Sequence, residues 1–209
     1  MFKNRYFIFA GILAIIILLP LISYLSVKSG AEIRRNAQPS ERLDSVGIPF
    51  PNYFFISQRG DTITTERMHG KVLVFELFSA SCADDTAKER HPLFELQEDY
   101  NGKTLSLRII SLITDSVFTA DQLTHYSTRY AAREEWHVVY NAALHDSTLI
   151  QSYAQYLHKK DVSNINQSCP ENVLLIDKSG VIRGCYNILD ETQYNDLYKD
   201  VLYLIDRKI

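Results

Sequence analysis

Three cysteines and six histidines are the residues of this 209-residue chain best suited to hold a soft metal ion or exchange electrons. Cys82 stands apart because of what precedes it. The apolar run Lys71-Val-Leu-Val-Phe-Glu-Leu77 leads into Phe78-Ser-Ala-Ser-Cys82-Ala-Asp-Asp-Thr86, the pattern of a buried strand that ends in a polar loop with one thiol at its tip. No second cysteine follows in that loop. A lone thiol cannot run dithiol–disulfide exchange along its own loop, so any redox chemistry needs a group from elsewhere in the chain. A nearby helix N-terminus would favour the reactive thiolate, whereas Asp84 and Asp85 would oppose it. Those two acids read as a solvated turn.

The other candidates carry weaker signals. Cys185, in Arg183-Gly-Cys-Tyr186, sits on a strand and reads as a packed small hydrophobe. Cys169 precedes Pro170. His91, beside Pro92, suits a helix start, with a substitute ligand or a base as the alternatives. His69, His125, His145 and His158 match no zinc or metalloprotease spacing, and His137 beside Trp136 reads as packing. The chain has no Gly-rich phosphate loop, Ser-centred nucleophile elbow or EF-hand loop. A net charge of -3, with no basic stripe, gives no indication of nucleic-acid binding.

The elements that must position these residues are legible from pattern. Residues 6–27 form an uncharged apolar run between Arg5 and Lys28, long enough as a helix to cross a hydrocarbon core of roughly 30 Å. It is too long for an ordinary signal-peptide core and lacks a clear small-x-small cleavage site, which favours a membrane anchor over residues 1–28. Lys3 and Arg5 before it, and Lys28, Arg34, Arg35 and Arg42 after it, leave the orientation undecided by charge. Residues 29–46 read as a polar linker, and 47–209 as one domain that folds from near Pro49.

Within the domain, strands are expected at 53–57 and 62–64, forming a hairpin, and then at 72–78, 105–112, 136–140, 172–176 and 181–186. Helices are expected from Pro92 with Leu93, Leu96 and Tyr100 on one face, and at 120–130, 147–157 and 191–205. Strand–helix–strand followed by a terminal hairpin and helix predicts an α/β, thioredoxin-like fold: a mixed central sheet flanked by helices, preceded by one transmembrane helix.

The domain resembles the Sco/SenC family, membrane-anchored thioredoxin-like proteins associated with copper delivery to cytochrome c oxidase. The resemblance rests on Gly70-Lys-Val-Leu-Val-Phe-Glu-Leu-Phe-Ser-Ala-Ser-Cys82, Leu93-Phe-Glu-Leu-Gln97, Ser111-Leu-Ile-Thr-Asp115, Trp136-His137 and Val173-Leu-Leu-Ile-Asp-Lys-Ser-Gly-Val-Ile182. It covers about residues 46–205. The family's loop is Cys-x-x-x-Cys-Pro; here the second cysteine is replaced by Thr86 and the proline by Ala87. The family's distant histidine ligand falls, counting back from Asp177, on Cys169. The resemblance thus implies a site of Cys82, Thr86 and Cys169, with the two cysteines as both metal and redox residues. It also places Pro170 near the cis-proline that thioredoxin-like reductases hold opposite their reactive cysteine.

Two thiolates suit Cu(I), a soft cation, whereas without imidazole the mixed site for Cu(II) is hard to assemble. Three readings follow from the resemblance and this donor set. The first is copper handling or respiratory oxidase assembly through Cys82 and Cys169. The second is a thiol–disulfide oxidoreductase using the same pair, and the third is an interaction domain without chemistry. The implied partners are membrane lipid and an oxidase subunit or another thiol protein. The implied location is the cytoplasmic (inner) membrane, single-pass, with a periplasmic or otherwise extracytoplasmic domain.

Overall fold

The computed structural model describes residues 3–35, 38–78, 91–113, 120–140 and 172–207. They divide into two units, Met1–Gln38 and Pro39–Ile209. The first is helix α1 (Lys3–Arg35), which contains Pro20. Its stretch Ile12–Ser29 is long and apolar enough to cross a membrane, and the side chains there are exposed. The helix continues beyond the expected run into the polar residues up to Arg35.

The second unit is built on an eight-stranded mixed sheet. Its strands are β1 (Ile48–Pro49), β2 (Phe54–Ser57), β3 (Thr62–Thr64), β4 (Val72–Phe78), β5 (Leu107–Ile113), β6 (Trp136–Tyr140), β7 (Asn172–Ile176) and β8 (Val181–Asn187). They lie in the order β1-β8-β7-β4-β5-β6-β2-β3. β4, β5 and β6 run parallel, β7 and β8 are antiparallel to their neighbours, and the β2–β3 hairpin adds to β6. Helices α2 (Pro92–Tyr100), α3 (Ala120–Arg129) and α4 (Glu191–Asp206) complete the described elements. The helix expected at 147–157 lies outside the described residues.

Every residue of β4 and β7 is buried, as central strands covered on both faces require. Alternation divides β4 between two clusters. Leu73, Phe75 and Leu77 join Phe55, Ile110, Leu112, Leu174 and Ile176 on one face. Val72 and Val74 join Leu93, Leu96, Ile109, Trp136, Leu197 and Val201 on the other. The spacing of Leu93, Leu96 and Tyr100 turns one face of α2 into this second cluster, and Leu197, Val201 and Leu204 do the same for α4.

The terminal hairpin turns at Gly180, whose φ of 79° suits a residue without Cβ. Asp177 organises that turn. It accepts hydrogen bonds from Ser179 N–H and Oγ and from Val181 N–H on one oxygen, and from Arg183 Nε at 2.7 Å on the other. Burial would raise its pKa, but these bonds and the guanidinium charge hold it below the ordinary carboxylate value.

The stretch expected as a linker, 29–46, is divided. Its first residues extend α1, and its last belong to the folded unit. Asp200, a fully buried residue of α4, accepts from Ser40 N–H at 2.7 Å, from Ser40 Oγ and from the Tyr186 hydroxyl at 2.7 Å. Arg183 Nη1 donates to the carbonyls of Asp44 and Ser45, and β1 pairs with β8. A polar, aperiodic sequence does not reveal such anchoring, because the partners lie about 140–160 residues away along the chain.

Candidate functional site

The parallel register of β4, β5 and β6 sets Glu76 beside Ser111 and Ser111 beside Val138. Glu76 lies on the Val72–Val74 face of β4, where every other position is apolar, and it is only 4% exposed. A carboxylate there is costly unless donors surround it. Ser111 Oγ donates to Glu76 Oε2 at 2.6 Å and in turn accepts from the Trp136 indole N–H at 2.9 Å. His91 Nε2 lies 3.2 Å from Glu76 Oε1. His91 Nδ1 accepts the backbone N–H of Leu93 at 3.3 Å and so caps the N-terminus of α2, with Pro92 at the first helical position.

Nδ1 accepts the Leu93 N–H and Nε2 faces the Glu76 carboxylate, so both nitrogens of His91 have a neighbour within the fold. His91 is thus a helix-start residue, the first of the three expectations for it. A wall of rings encloses it. His91 lies 4.7 Å from Tyr130 and 5.6 Å from Trp136 between centroids, and Tyr130 stacks on Trp136 at 6.0 Å with 9° between planes. Tyr126 continues the wall to Phe78 at 5.5 Å, edge to face.

This network sits where the chain leaves β4 and enters α2. Phe78 is the last described residue before the cysteine-bearing segment 79–90, and His91 is the first after it. Cys82, Asp84, Asp85 and Thr86 lie within that segment, and Cys169, Pro170, His145 and His158 lie within 141–171; all fall outside the described residues. Among the described residues no group of three His, Cys, Asp or Glu side chains is placed to hold a metal ion.

Cys185 is a free thiol packed against the core, and burial pushes its pKa up to about 12. That is an inert thiol, as expected of a packed one. His137 follows Trp136 on β6, and its buried Nδ1 has no hydrogen-bond partner among the described residues. Desolvation, reinforced by Arg59 and Arg108, lowers its pKa to about 4 against the opposing pull of Asp61 and Glu135. His125 packs edge-on against Tyr126, and His69 faces the hairpin glycine Gly180.

Sequence reasoning passed over Glu76 and Ser111. The signal available was an acid at the sixth place of Lys71-Val-Leu-Val-Phe-Glu-Leu77, an otherwise apolar strand. Its meaning depended on Ser111 of β5, itself held by Trp136 of β6, and on His91 just before α2.

A parallel β4–β5–β6 unit, an antiparallel β7–β8 pair beside β4 and a terminal helix define a thioredoxin-like fold. Solved structures of Sco/SenC proteins share it. BsSco, a member of the Sco family of cytochrome c oxidase assembly proteins, is 19% identical with a TM-score of 0.60, covering 80% of this chain and 100% of its own. A SCO1/SenC family lipoprotein from Bacillus anthracis is 17% identical with a TM-score of 0.58, covering 79% and 97%. A putative protein disulfide isomerase from Bacteroides thetaiotaomicron is 16% identical with a TM-score of 0.55, covering 77% and 90%. No protein-family model matches the chain, and no curated protein matches it. At these identities the likeness is one of fold.

Proposed function

We propose that this chain is a membrane-anchored, Sco-like thiol protein that handles copper as cargo, with Cys82 and Cys169 as its two sulfur donors. The observation that carries this reading is the engagement of both nitrogens of His91. The one described histidine bordering the Cys82 segment caps α2, so the donor set read from sequence stays a sulfur pair. Such a pair suits Cu(I) and not the mixed nitrogen–sulfur coordination of Cu(II). The fold shared with Sco/SenC structures supports the same reading. The apolar helix supports membrane anchoring, and the placement of the domain on the outer side of the cytoplasmic membrane follows from the Sco-like reading alone.

The test is Cu(I) titration of the reduced full-length chain in detergent against a chromophoric Cu(I) chelator. One Cu(I) per chain is expected, and Cys82→Ser or Cys169→Ser abolishes it. Failure of the parent protein to compete for Cu(I) removes the reading.

The disulfide isomerase likeness favours a second reading, exchange chemistry by the same pair. The two thiols would close to a disulfide, passing two electrons and two protons to a partner disulfide. Equilibration in glutathione buffers, followed by mass spectrometry, reads that pair directly. A Cys82–Cys169 bond that forms and opens within the physiological range supports it, and its absence there excludes it.

A further inference from the structure

The two edges of the described sheet are not alike. At one lies β1, two residues long and ending in Pro49. Proline has no N–H to offer, and both features blunt an edge against further pairing. At the other lies β3, Thr62-Ile63-Thr64, three β-branched residues without proline or lysine. Among the described residues no strand lies beyond it. We propose that β3 is the surface through which two copies of this chain pair, strand against strand, about a two-fold axis at Ile63. The proposal makes no use of the cysteines and stands apart from the copper and exchange readings.

The hairpin's own hydrogen bonds show which backbone groups face outward. Ser57 N–H donates to the Asp61 carbonyl at 2.9 Å and Thr65 N–H to the Tyr53 carbonyl at 3.0 Å, with Phe55 opposite Ile63 between them. Bonding towards β2 therefore falls on residues 61, 63 and 65. The N–H and C=O groups of Thr62 and Thr64 point away from the sheet.

Those outward groups complement a second copy of themselves. With Ile63 on the axis, Thr62 of one copy lies opposite Thr64 of the other, and each such pair exchanges both its hydrogen bonds. Charge does not oppose the approach. Arg59 and Asp61 flank the strand on one side, Glu66 and Arg67 on the other, and the pairing brings Asp61 diagonally towards Arg67 of the second copy. Arg59 is tied elsewhere, since its Nη2 donates to the Arg133 carbonyl at 2.9 Å. Such a contact closes at two copies, whereas β3 on β1 would run on into a filament. A three-residue edge binds weakly in dilute solution, and a bilayer holding the apolar helix of each copy raises their effective concentration.

Disulfide crosslinking in lipid vesicles tests the register. The full-length chain carries Cys82→Ser, Cys169→Ser and Cys185→Ala, and either Ile63→Cys or Thr62→Cys supplies the single thiol. Diamide is the oxidant; it takes up the two electrons and two protons released when two thiols join. In the proposed pairing, position 63 faces its own copy in a non-hydrogen-bonded pair at a Cα separation of about 4.5 Å. The two positions 62 are staggered beyond the roughly 7 Å that a disulfide can bridge.

Ile63→Cys is expected to crosslink about tenfold faster than Thr62→Cys. Adding Thr62→Pro to Ile63→Cys removes an outward N–H and none of the bonds to β2. Crosslinking should then fall about tenfold, with the unfolding temperature nearly unchanged. If the proline lowers that temperature, Thr62→Lys takes its place, because a charge on the edge opposes pairing without touching the ladder. Equal rates at positions 62 and 63 overturn the pairing, as does a rate at 63 that the edge substitutions leave intact.

Discussion

His137 shows how a single side chain sets a condition on the whole fold. Its native pKa of about 4 lies below the ordinary imidazole value of 6.5, so between those values the unfolded chain binds more protons than the folded one. Stability from this residue is therefore complete above about pH 6.5 and is lost as pH falls towards 4. The ceiling is about 3 kcal/mol, reduced by water at a site that is not fully enclosed. A fall in the urea midpoint between pH 7 and pH 4.5 is expected, and it should be largely absent in His137→Gln. Asp177 also has a lowered native pKa, so its contribution is present above the ordinary carboxylate range and lost only at more acid pH, outside this comparison. At the same scale, Cys185 is expected to resist alkylation in the folded protein and to react only on unfolding, because burial disfavours its thiolate.

At the scale of elements, the strands were legible wherever a single period governed them. Residues 72–78, 136–140 and 172–176 occupy the expected ranges, and the terminal helix starts at the expected Glu191. Two strand edges shifted. β5 begins at Leu107 instead of 105, and β8 runs on to Asn187. The two-residue strand β1 had no periodic signature, since pairing with β8 alone defines it.

The β7–β8 turn gives an element-scale test. Gly180→Ala is expected to cost about 1 kcal/mol, because φ is positive and the new Cβ would lie 3.3 Å from the His69 ring. Thermal unfolding compared with the parent would measure it, and no change in midpoint would show that the turn relaxes freely.

The whole molecule consists of an apolar helix and a folded unit that begins at Pro39. The Ser40–Asp200 bonds make this boundary testable. A chain starting at Pro39 should fold with the stability of the intact domain, whereas one starting at Gly47 should unfold at a lower temperature. Asp200→Ala should be destabilised by about 2–3 kcal/mol, since it removes the buried carboxylate that accepts from the Tyr186 hydroxyl and from Ser40. Equal melting temperatures for the two truncations would show that residues 39–46 add nothing to the unit.

The sequence by itself determined the mixed α/β architecture, the apolar helix and the singular position of Cys82, because periodicity, run length and connectivity are local properties. Only the tertiary structure decided what His91 does. A histidine before a proline suits a helix start, but only its neighbours show whether it caps one. Those neighbours come from three strands: Glu76 on β4, Ser111 on β5 and Trp136 on β6, brought to one face by the parallel register. A buried carboxylate must find donors wherever the fold can supply them, and for Glu76 the donor is Ser111, 35 residues away in the chain.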